Sequence, residues 1–233
     1  MTKRWRLILT LLIGALMTLN LATANTGTAA AAAKKVTVKY SSGAVYYGEV
    51  KNGKPSGFGT MTWSKNKVYE GSWVNGQRSG YGKLTTVSRD GETVKKEEYI
   101  GNWSMDKKDG EGKMVMKSTT NSRPAENSVQ QGKYKRDLLV SGFTVRHVFV
   151  ADPPYSFEYK DSKLLLRILG DKDYIDAIKD GYFFSFEYQK GKVHRKVGVG
   201  DDYDTAEFSK FIQNISKEIK PYLSMFKKLA AGV

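Results

Sequence analysis

Two histidines and two pairs of aspartates are the residues of this 233-residue chain whose types and spacing bear on acid–base chemistry. The two histidines, His147 and His194, stand apart, each beside an arginine, and neither belongs to a metal-spacing motif. The adjacent carboxylates Asp201 and Asp202 could act as acid and base. Acidic pairs in turns are far more often solvated caps, so these residues only weakly indicate a catalyst.

Two further motifs are weaker still. Ser141-Gly142 lacks the flanking pattern of a nucleophile elbow, and Gly198-Val199-Gly200 is a lone Gly-x-Gly with no phosphate loop. Asp171 with Asp173 forms another carboxylate pair. We therefore predict no enzyme, no catalytic residue, no metal and no cofactor. A secreted hydrolase with its site in residues 151–233 remains an alternative.

The elements that would position any site are set by a repeat of 23 residues. Tyr46 recurs as Tyr69, and the turn Asn52-Gly53 recurs as Asn75-Gly76. Such a period is typical of a repeat array, in which each unit packs on its neighbours. Fourteen positions carry the pattern and are expected to be structural: Tyr46, Gly48, Gly57, Gly59, Tyr69, Gly71, Trp73, Gly80, Gly82, Tyr99, Gly101, Trp103, Gly110 and Gly112.

The third unit begins at Tyr99, seven residues later than the period requires. We expect the extra residues in a lengthened turn around 89–92. A faint fourth unit begins at Gly132, with its glycine pair expected at Ser141 and Phe143. The polar stretch from Ser118 to Gln131 is interpreted as a long, mobile loop.

Within one unit, Tyr69, Gly71 and Trp73 alternate and share one face of a strand. Asn75-Gly76 is a hairpin turn signal, because both residues tolerate positive φ. Paired glycines leave a slot without side chains, which we expect a ring of the adjoining hairpin to fill.

This pattern, Tyr-x-Gly-x-Trp-x-Asn-Gly followed by Gly-x-Gly, resembles the MORN repeat (membrane occupation and recognition nexus). The resemblance covers residues 40–116 well and extends weakly to 143. It implies an antiparallel β-hairpin array with an open groove. It also implies a binding or scaffolding role toward protein or phospholipid. In this chain Val50 takes the place of a tryptophan, and Met105-Asp106 that of Asn-Gly.

The aromatic rings of the repeat could line a ligand groove or hold the units together, and their recurrence favours the second. The candidates for ligand contact are less regular residues, expected to be exposed: Tyr47, Tyr81, Lys83, Lys95 and Lys96.

Beyond Asp152-Pro153-Pro154 the glycines thin out and helical signals appear. We predict strands at 155–159 and 164–169, a brief helix from Asp171 to Ile178 and a strand at 193–199. Alternation also predicts one aromatic strand face, formed by Tyr182, Phe184, Phe186 and Tyr188.

The last element is predicted to be an amphipathic helix capped by Asp204, with Glu207 at capping-box spacing. Its apolar stripe starts at Phe208 and ends at Leu229. Pro221 is expected to break or kink it near Ile219. The helix could pack on the aromatic strands or lie on a membrane, and we favour packing.

The N-terminus is predicted to be a secretory signal. Three basic residues precede an apolar core, Leu7–Leu21, which is short for a membrane span, and Ala22-Thr23-Ala24 is an A-x-A cleavage site. The alanine run 29–33 offers a second site. We therefore predict cleavage after Ala24, export from a bacterial cell and no transmembrane span afterwards.

Charge and cysteine content limit the partners. The chain carries a net charge of +14 and no cysteine. The absence of cysteine excludes disulfides, thiolate metal sites and a lipid-modified cysteine. The basic surplus favours anionic envelope polymers or phospholipid headgroups as partners over nucleic acid. A protein partner is the other prediction.

The predicted organisation is a signal at 1–24, a linker and first strand at 25–39, a repeat array at 40–150 and an α+β region at 151–233. The array units are expected near 46–68, 69–98, 99–129 and a degenerate 130–150. The fold class is mainly β. The predicted function is a non-enzymatic binding scaffold of the envelope, with a peripheral phospholipid binder as the alternative.

Overall fold

The computed structural model describes residues 34–233, and the predicted signal lies outside these residues. Thirteen antiparallel strands form one sheet in which the spatial order equals the chain order. The fold is therefore mainly β, as predicted. The strands are β1 Lys35–Lys39, β2 Val45–Lys51, β3 Lys54–Ser64, β4 Lys67–Val74, β5 Gln77–Asp90, β6 Thr93–Ser104, β7 Lys107–Thr120, β8 Arg123–Lys135, β9 Leu138–Val148, β10 Tyr155–Lys160, β11 Leu164–Gly170, β12 Ser185–Lys190 and β13 Val193–Gly198.

Two helical elements follow the predictions for the C-terminal region. A 3-10 helix spans Lys172–Asp180, with the Asp171 carboxylate accepting from the Asp173 amide and Gly181 at its end. The α-helix α1 spans Thr205–Ala230, and the Asp204 carboxylate accepts from the amides of Ala206 and Glu207. Both caps satisfy amide groups that a helix start leaves without partners.

Helix α1 runs through Pro221 without a break, which corrects that part of the prediction. A proline inside a helix removes one backbone hydrogen bond. Here buried side chains on both sides of it, Ile219 and Phe226, hold the helix on the sheet. Packing thus outweighs the local cost.

The polar stretch 118–131 is not a loop, which corrects a second prediction. It forms the ends of β7 and β8, joined by the two-residue turn Asn121-Ser122. The Ser118 hydroxyl donates to the Glu126 carbonyl and accepts from its amide. The seven extra residues that precede the third unit likewise lengthen β5 and β6 and do not enlarge the turn, because Asp90 pairs directly with Thr93.

Two hydrophobic cores lie on opposite faces of this sheet. The ladder face carries Tyr46, Tyr69 and Tyr99 along β2–β8, and the helix face carries Val145, Phe157 and other apolar residues of β9–β13, under α1. Strand β8 contributes to both cores, through Tyr134 on the ladder face and Val129 on the helix face. Successive strand residues point to opposite faces. The buried core can therefore move from one face to the other while the sheet itself stays continuous.

The helix-face core is closed by α1. Phe226 contacts Phe143 and Phe157, with ring centroids 5.7 and 5.5 Å apart. Phe208 packs on Phe186 at 5.6 Å. The apolar stripe of α1 is therefore buried against the sheet.

The predicted aromatic stripe 182–188 is only half correct. Phe186 and Tyr188 lie in β12 and are buried under α1, whereas Tyr182 and Phe184 precede the strand and are exposed. Gly181, with φ of 84°, ends the 3-10 helix in a left-handed conformation. The chain then needs several residues to rejoin the sheet, so the strand starts at Ser185.

Candidate functional site

The ladder face of β2–β8 is named for a continuous series of edge-to-face ring contacts. The order is Tyr46, Trp73, Tyr69, Trp103, Tyr99 and Tyr134, with neighbouring centroids 5.1–5.7 Å apart and planes near perpendicular. Edge-to-face contact is a preferred arrangement for aromatic pairs. All six rings are buried. They hold neighbouring units together and are not accessible to a ligand.

The paired glycines make room for tyrosines of their own hairpin. Gly101 lies opposite Gly112 in the register of β6 and β7. A Cβ built on Gly101 would stand 2.6 Å from the Tyr99 hydroxyl oxygen and 2.5 Å from the Gly112 Cα. The tyrosine therefore covers both glycines.

We expected a ring of the adjoining hairpin to fill the glycine slot, and the structure corrects this expectation. A tyrosine of the same hairpin fills the slot, and the adjoining hairpin contributes a tryptophan. Trp103 Nε1 donates to the Gly82 carbonyl at 3.2 Å, and Trp73 Nε1 donates to the Gly59 carbonyl at 3.0 Å. Each bond joins one unit to the preceding one.

Burial raises the pKa of Tyr46 to about 12, with the nearby Glu49 carboxylate adding to the effect. Burial also raises the pKa of Tyr69 to about 12, although the Arg78 cation opposes it. These phenols keep their protons at neutral pH. The Tyr69 hydroxyl donates to the Ser72 carbonyl, and the Tyr46 hydroxyl to the Glu49 carbonyl.

A second connection between units runs along the hairpin turns and was not predicted. The amide of Asp106 donates to the Arg78 carbonyl, and the amide of Asp137 donates to the Lys108 carbonyl. In return Asp106 accepts from the Arg78 amide and Nε. The Arg78 guanidinium lies 4.2 Å from the Trp103 ring centroid, a cation–π distance.

This connection explains why the degenerate units still fold. Met105-Asp106 and Arg136-Asp137 both adopt positive φ without a glycine. Type I′ hairpin turns need that conformation, and the bond to the preceding unit stabilises it. In the fourth unit Gly132 pairs with Gly142, and not with the expected Ser141 or Phe143, because the register shifts by one residue near Tyr134.

The helix face of β2–β7 is uncovered, and most candidate contact residues lie on it. The register places Tyr47, Tyr81, Lys83 and Lys96 on this face. Tyr47 is 54% exposed and Tyr81 is 62% exposed. Lys95 is two residues from Glu97 on the other face and forms an ion pair with it at 2.8 Å. Lys83 is paired with Glu98 at 2.7 Å.

An exposed phenylalanine extends this set. Phe58 occupies the position of Tyr81 in the preceding unit, on the same face, and is 46% exposed. The 23-residue alignment of the two units could have revealed it, since both are the middle residue of Gly-x-Gly.

A groove of about 490 Å³ opens on the same face beside Tyr81. Ile100 and Val115 supply apolar surface, and Glu98, Lys113 and Gln131 supply polar groups. The partly buried Val115 also contacts the core beneath α1. A mainly apolar concavity with a few convergent polar groups is the usual form of a binding site. We call this region, from Tyr47 to Gln131, the array groove.

Comparison with protein-family models gives three consecutive matches to the model described as MORN repeat, at residues 46–68, 69–90 and 99–118. Residues 46–118 are MORN repeats. No curated protein matches the chain. The MORN matches end in β7, so the fourth unit and the whole region under α1 lie beyond them.

The candidate catalytic residues lie apart from the array groove and contact other parts of the fold. The Asp201 carboxylate accepts from the Gly198 amide at 2.7 Å. His194 faces Glu187 on the ladder face. His147 is stacked 4.3 Å from Tyr155, and burial lowers its pKa. Among residues 34–233 no three His, Cys, Asp or Glu side chains converge as metal ligands.

The alternative in which α1 lies on a membrane requires an exposed apolar face on this helix. In the structure that face is buried on the sheet, through Phe208, Ile212 and Phe226. Within residues 34–233 none of the helices combines the length and apolar character needed to cross a membrane.

Proposed function

We propose that this chain is a non-enzymatic binding scaffold that is exported from a bacterial cell and holds a protein partner in the array groove. MORN repeats point to a binding or scaffolding role. The observation that carries the proposal is that Tyr47, Phe58 and Tyr81 are exposed on one face of the array, where a groove lined by Tyr81 opens, whereas the rings of the ladder face are all buried.

The energetics of recognition support a protein partner. Exposed tyrosines supply large contact area with few torsions, and they are enriched at interfaces and among binding hot spots. The side chains around them are mixed in sign, with Glu98 and Glu111 beside Lys113. A surface of mixed sign suits a protein better than a uniformly anionic polymer.

Export is proposed from the basic start, the apolar core and the A-x-A site of residues 1–24. Expression of the full chain in a bacterial host, followed by N-terminal sequencing of the exported protein, tests this part. The expected N-terminus is Asn25. A chain retained in the cytoplasm with Met1 or Thr2 at its start would contradict it.

The binding role is tested with a photo-crosslinking residue placed at Tyr81, and at Val193 as the control. Both side chains are exposed, but Val193 lies at the start of β13, outside the array groove. We expect a discrete crosslinked protein in envelope extracts from position 81 alone, lost when Tyr47 and Phe58 are both changed to serine.

A liposome flotation series completes the test of partner class. Flotation with anionic vesicles that fades as salt rises would favour the phospholipid alternative. Crosslinking equal at both positions would contradict the groove as the binding site.

A further inference from the structure

One end of the sheet beyond the repeats carries a cluster of exposed apolar side chains. Strands β9, β11 and β13 end there and β10 and β12 begin there, so antiparallel pairing brings segments 149–154, 171–184 and 199–204 together. Six large apolar residues on these segments are exposed: Phe149, Val150, Tyr174, Tyr182, Phe184 and Val199. Clusters of exposed apolar surface commonly mark interaction sites.

A cleft of about 300 Å³ opens among these residues. Its lining includes Pro153, Asp171, Tyr174, Tyr182 and Phe184. The Tyr174 and Tyr182 rings are stacked, with centroids 5.4 Å apart and planes at 17°. They therefore form a double aromatic platform.

The cleft is built on rigid parts of the fold. Phe183, between the two exposed rings Tyr182 and Phe184, packs on Phe208 of α1 at 5.1 Å. The Phe184 amide donates to the Leu169 carbonyl at 2.7 Å. Sites held by packed elements keep their geometry better than sites on free loops.

The charge at this end is opposite to that of the chain as a whole. The three segments hold eight aspartates and two lysines, a net charge of −6, in a chain of net charge +14. The remaining sequence is therefore strongly basic. Asp171 lines the cleft, and Asp152 and Asp173 are next in sequence to the lining residues Pro153 and Tyr174. Asp173 and Asp176 form ion pairs with Lys172 and Lys227, whereas Asp152 and Asp202 are exposed.

We propose that this cleft docks a lysine- or arginine-rich segment of a partner protein. The faces of tyrosine and phenylalanine rings attract cations within about 6 Å, and the aspartates supply the complementary field. An anionic lipid or polymer would be repelled here. A neutral sugar would stack on the rings and donate hydrogen bonds to the carboxylates, but it would gain no net-charge attraction, so its binding would not weaken as salt rises. The basic remainder of the chain repels such a segment elsewhere and so orients it.

The inference is tested on the full chain by fluorescence anisotropy with a labelled peptide of about ten residues, rich in lysine and arginine. A peptide with glutamate in place of the basic residues is the control probe. We expect binding of the basic peptide alone, weakened as NaCl rises from about 50 to about 300 mM.

Two variants locate the site. The double change Tyr174→Ala and Tyr182→Ala is expected to weaken binding about tenfold through loss of the rings. The double change Asp152→Asn and Asp202→Asn, at exposed carboxylates, is expected to weaken it about fivefold without disturbing the core. Tyr40→Ala with Val193→Ala, at exposed residues outside both the cleft and the array groove, serves as the matched control and leaves binding unchanged.

Three outcomes would overturn the inference. They are equal binding of the two peptides, displacement of the basic peptide by a neutral polysaccharide, and unchanged affinity in both the ring and the aspartate variants. Sedimentation that shows a second copy of this chain occupying the cleft would overturn it too. Loss of array-groove binding has no bearing on these measurements, because the two sites use different residues.

Discussion

The repeat array and the region under α1 bury the two faces of one sheet by different means. In the array, rings from strands adjacent in sequence cover the ladder face themselves, as Tyr69 and Trp73 do. In the second region the cover is a separate helix, and Phe226 contacts Phe143 from far along the chain. Because the array buries its ladder face with its own rings, its helix face stays free for ligands. In the second region α1 occupies the helix face.

The variant expected to have the largest effect on this contrast is Phe226→Ala. Truncating a fully buried aromatic residue costs about 3–5 kcal/mol. We expect the loss to fall on the region under α1, because the array has its own core. Far-UV circular dichroism at the helix band and tryptophan emission separate the two, since Trp63, Trp73 and Trp103 all lie in the array.

The measurement is thermal unfolding followed by both signals, with Lys228→Ala on the exposed side of α1 as the control. The helix signal is expected to shift downward while the tryptophan transition stays in place. Coincident shifts of both would show that the sheet unfolds as one unit and would break the comparison.

The next test is Gly101→Ala, with Gly170→Ala as its counterpart in the other region. A Cβ on Gly101 would meet the Gly112 Cα at 2.5 Å, which is backbone and cannot move aside, whereas on Gly170 its nearest contact is 3.6 Å away. We expect a loss of about 3 kcal/mol for Gly101 and less than about 0.5 kcal/mol for Gly170. Denaturant titration of both variants checks this, and equal losses would contradict the slot interpretation.

A smaller effect is expected from Trp103→Phe. This variant keeps most of the ring but removes the Nε1 donor to the buried Gly82 carbonyl. Leaving a buried acceptor without its partner costs about 1–2 kcal/mol. Trp63→Phe, at a half-buried ring, is the control. Chemical unfolding followed by circular dichroism gives both values, and a neutral Trp103→Phe would remove the tryptophan from the connection between units.

The smallest effect concerns pH and the exposed ladder face of the second region. The Arg146 guanidinium, 2.6 Å from Glu126, lowers the pKa of that carboxyl below its ordinary value of about 4.5. A lowered folded-state pKa means that the pair stabilises the protein above pH 4.5 and that this contribution fades as the pH falls below it.

Exposed ion pairs contribute less than about 1 kcal/mol. Glu126→Gln should therefore reduce the free energy of unfolding slightly at pH 7 and by less at pH 3, measured by urea titration at both values. An equal loss at both pH values would contradict the ion pair with Arg146 as its cause.

The sequence predicted the array well because the residues that determine the geometry of each unit lie within that unit. Alternation placed Tyr69, Gly71 and Trp73 on one face, and Asn75-Gly76 marked the turn. The strands at 118–131 were missed because their threonines, serines and asparagines resemble a loop. These residues pair with neighbouring strands on both sides, and polarity alone does not reveal such partners.

The candidate site was only partly predictable for the same reason. Alternation suffices to place Tyr47, Tyr81, Lys83 and Lys96 on one face, but the groove itself is lined by residues of four strands, β5 to β8, whose register the sequence does not give. Lys95 was grouped with Lys96 as a contact residue, although neighbours in a strand face opposite ways. The position of α1 over β9–β12 rests on contacts between distant residues.

The change of side within β8 constrains how such a chain could grow. Duplicating a whole 23-residue unit at the start of the array would add a hairpin and leave Tyr134 and Val129 on their own sides. Inserting a single residue between those two positions would invert one of them, exposing either the last ring of the series or a valine meant to lie under α1. Gene duplication is thus tolerated upstream, whereas a one-codon insertion in this strand is not.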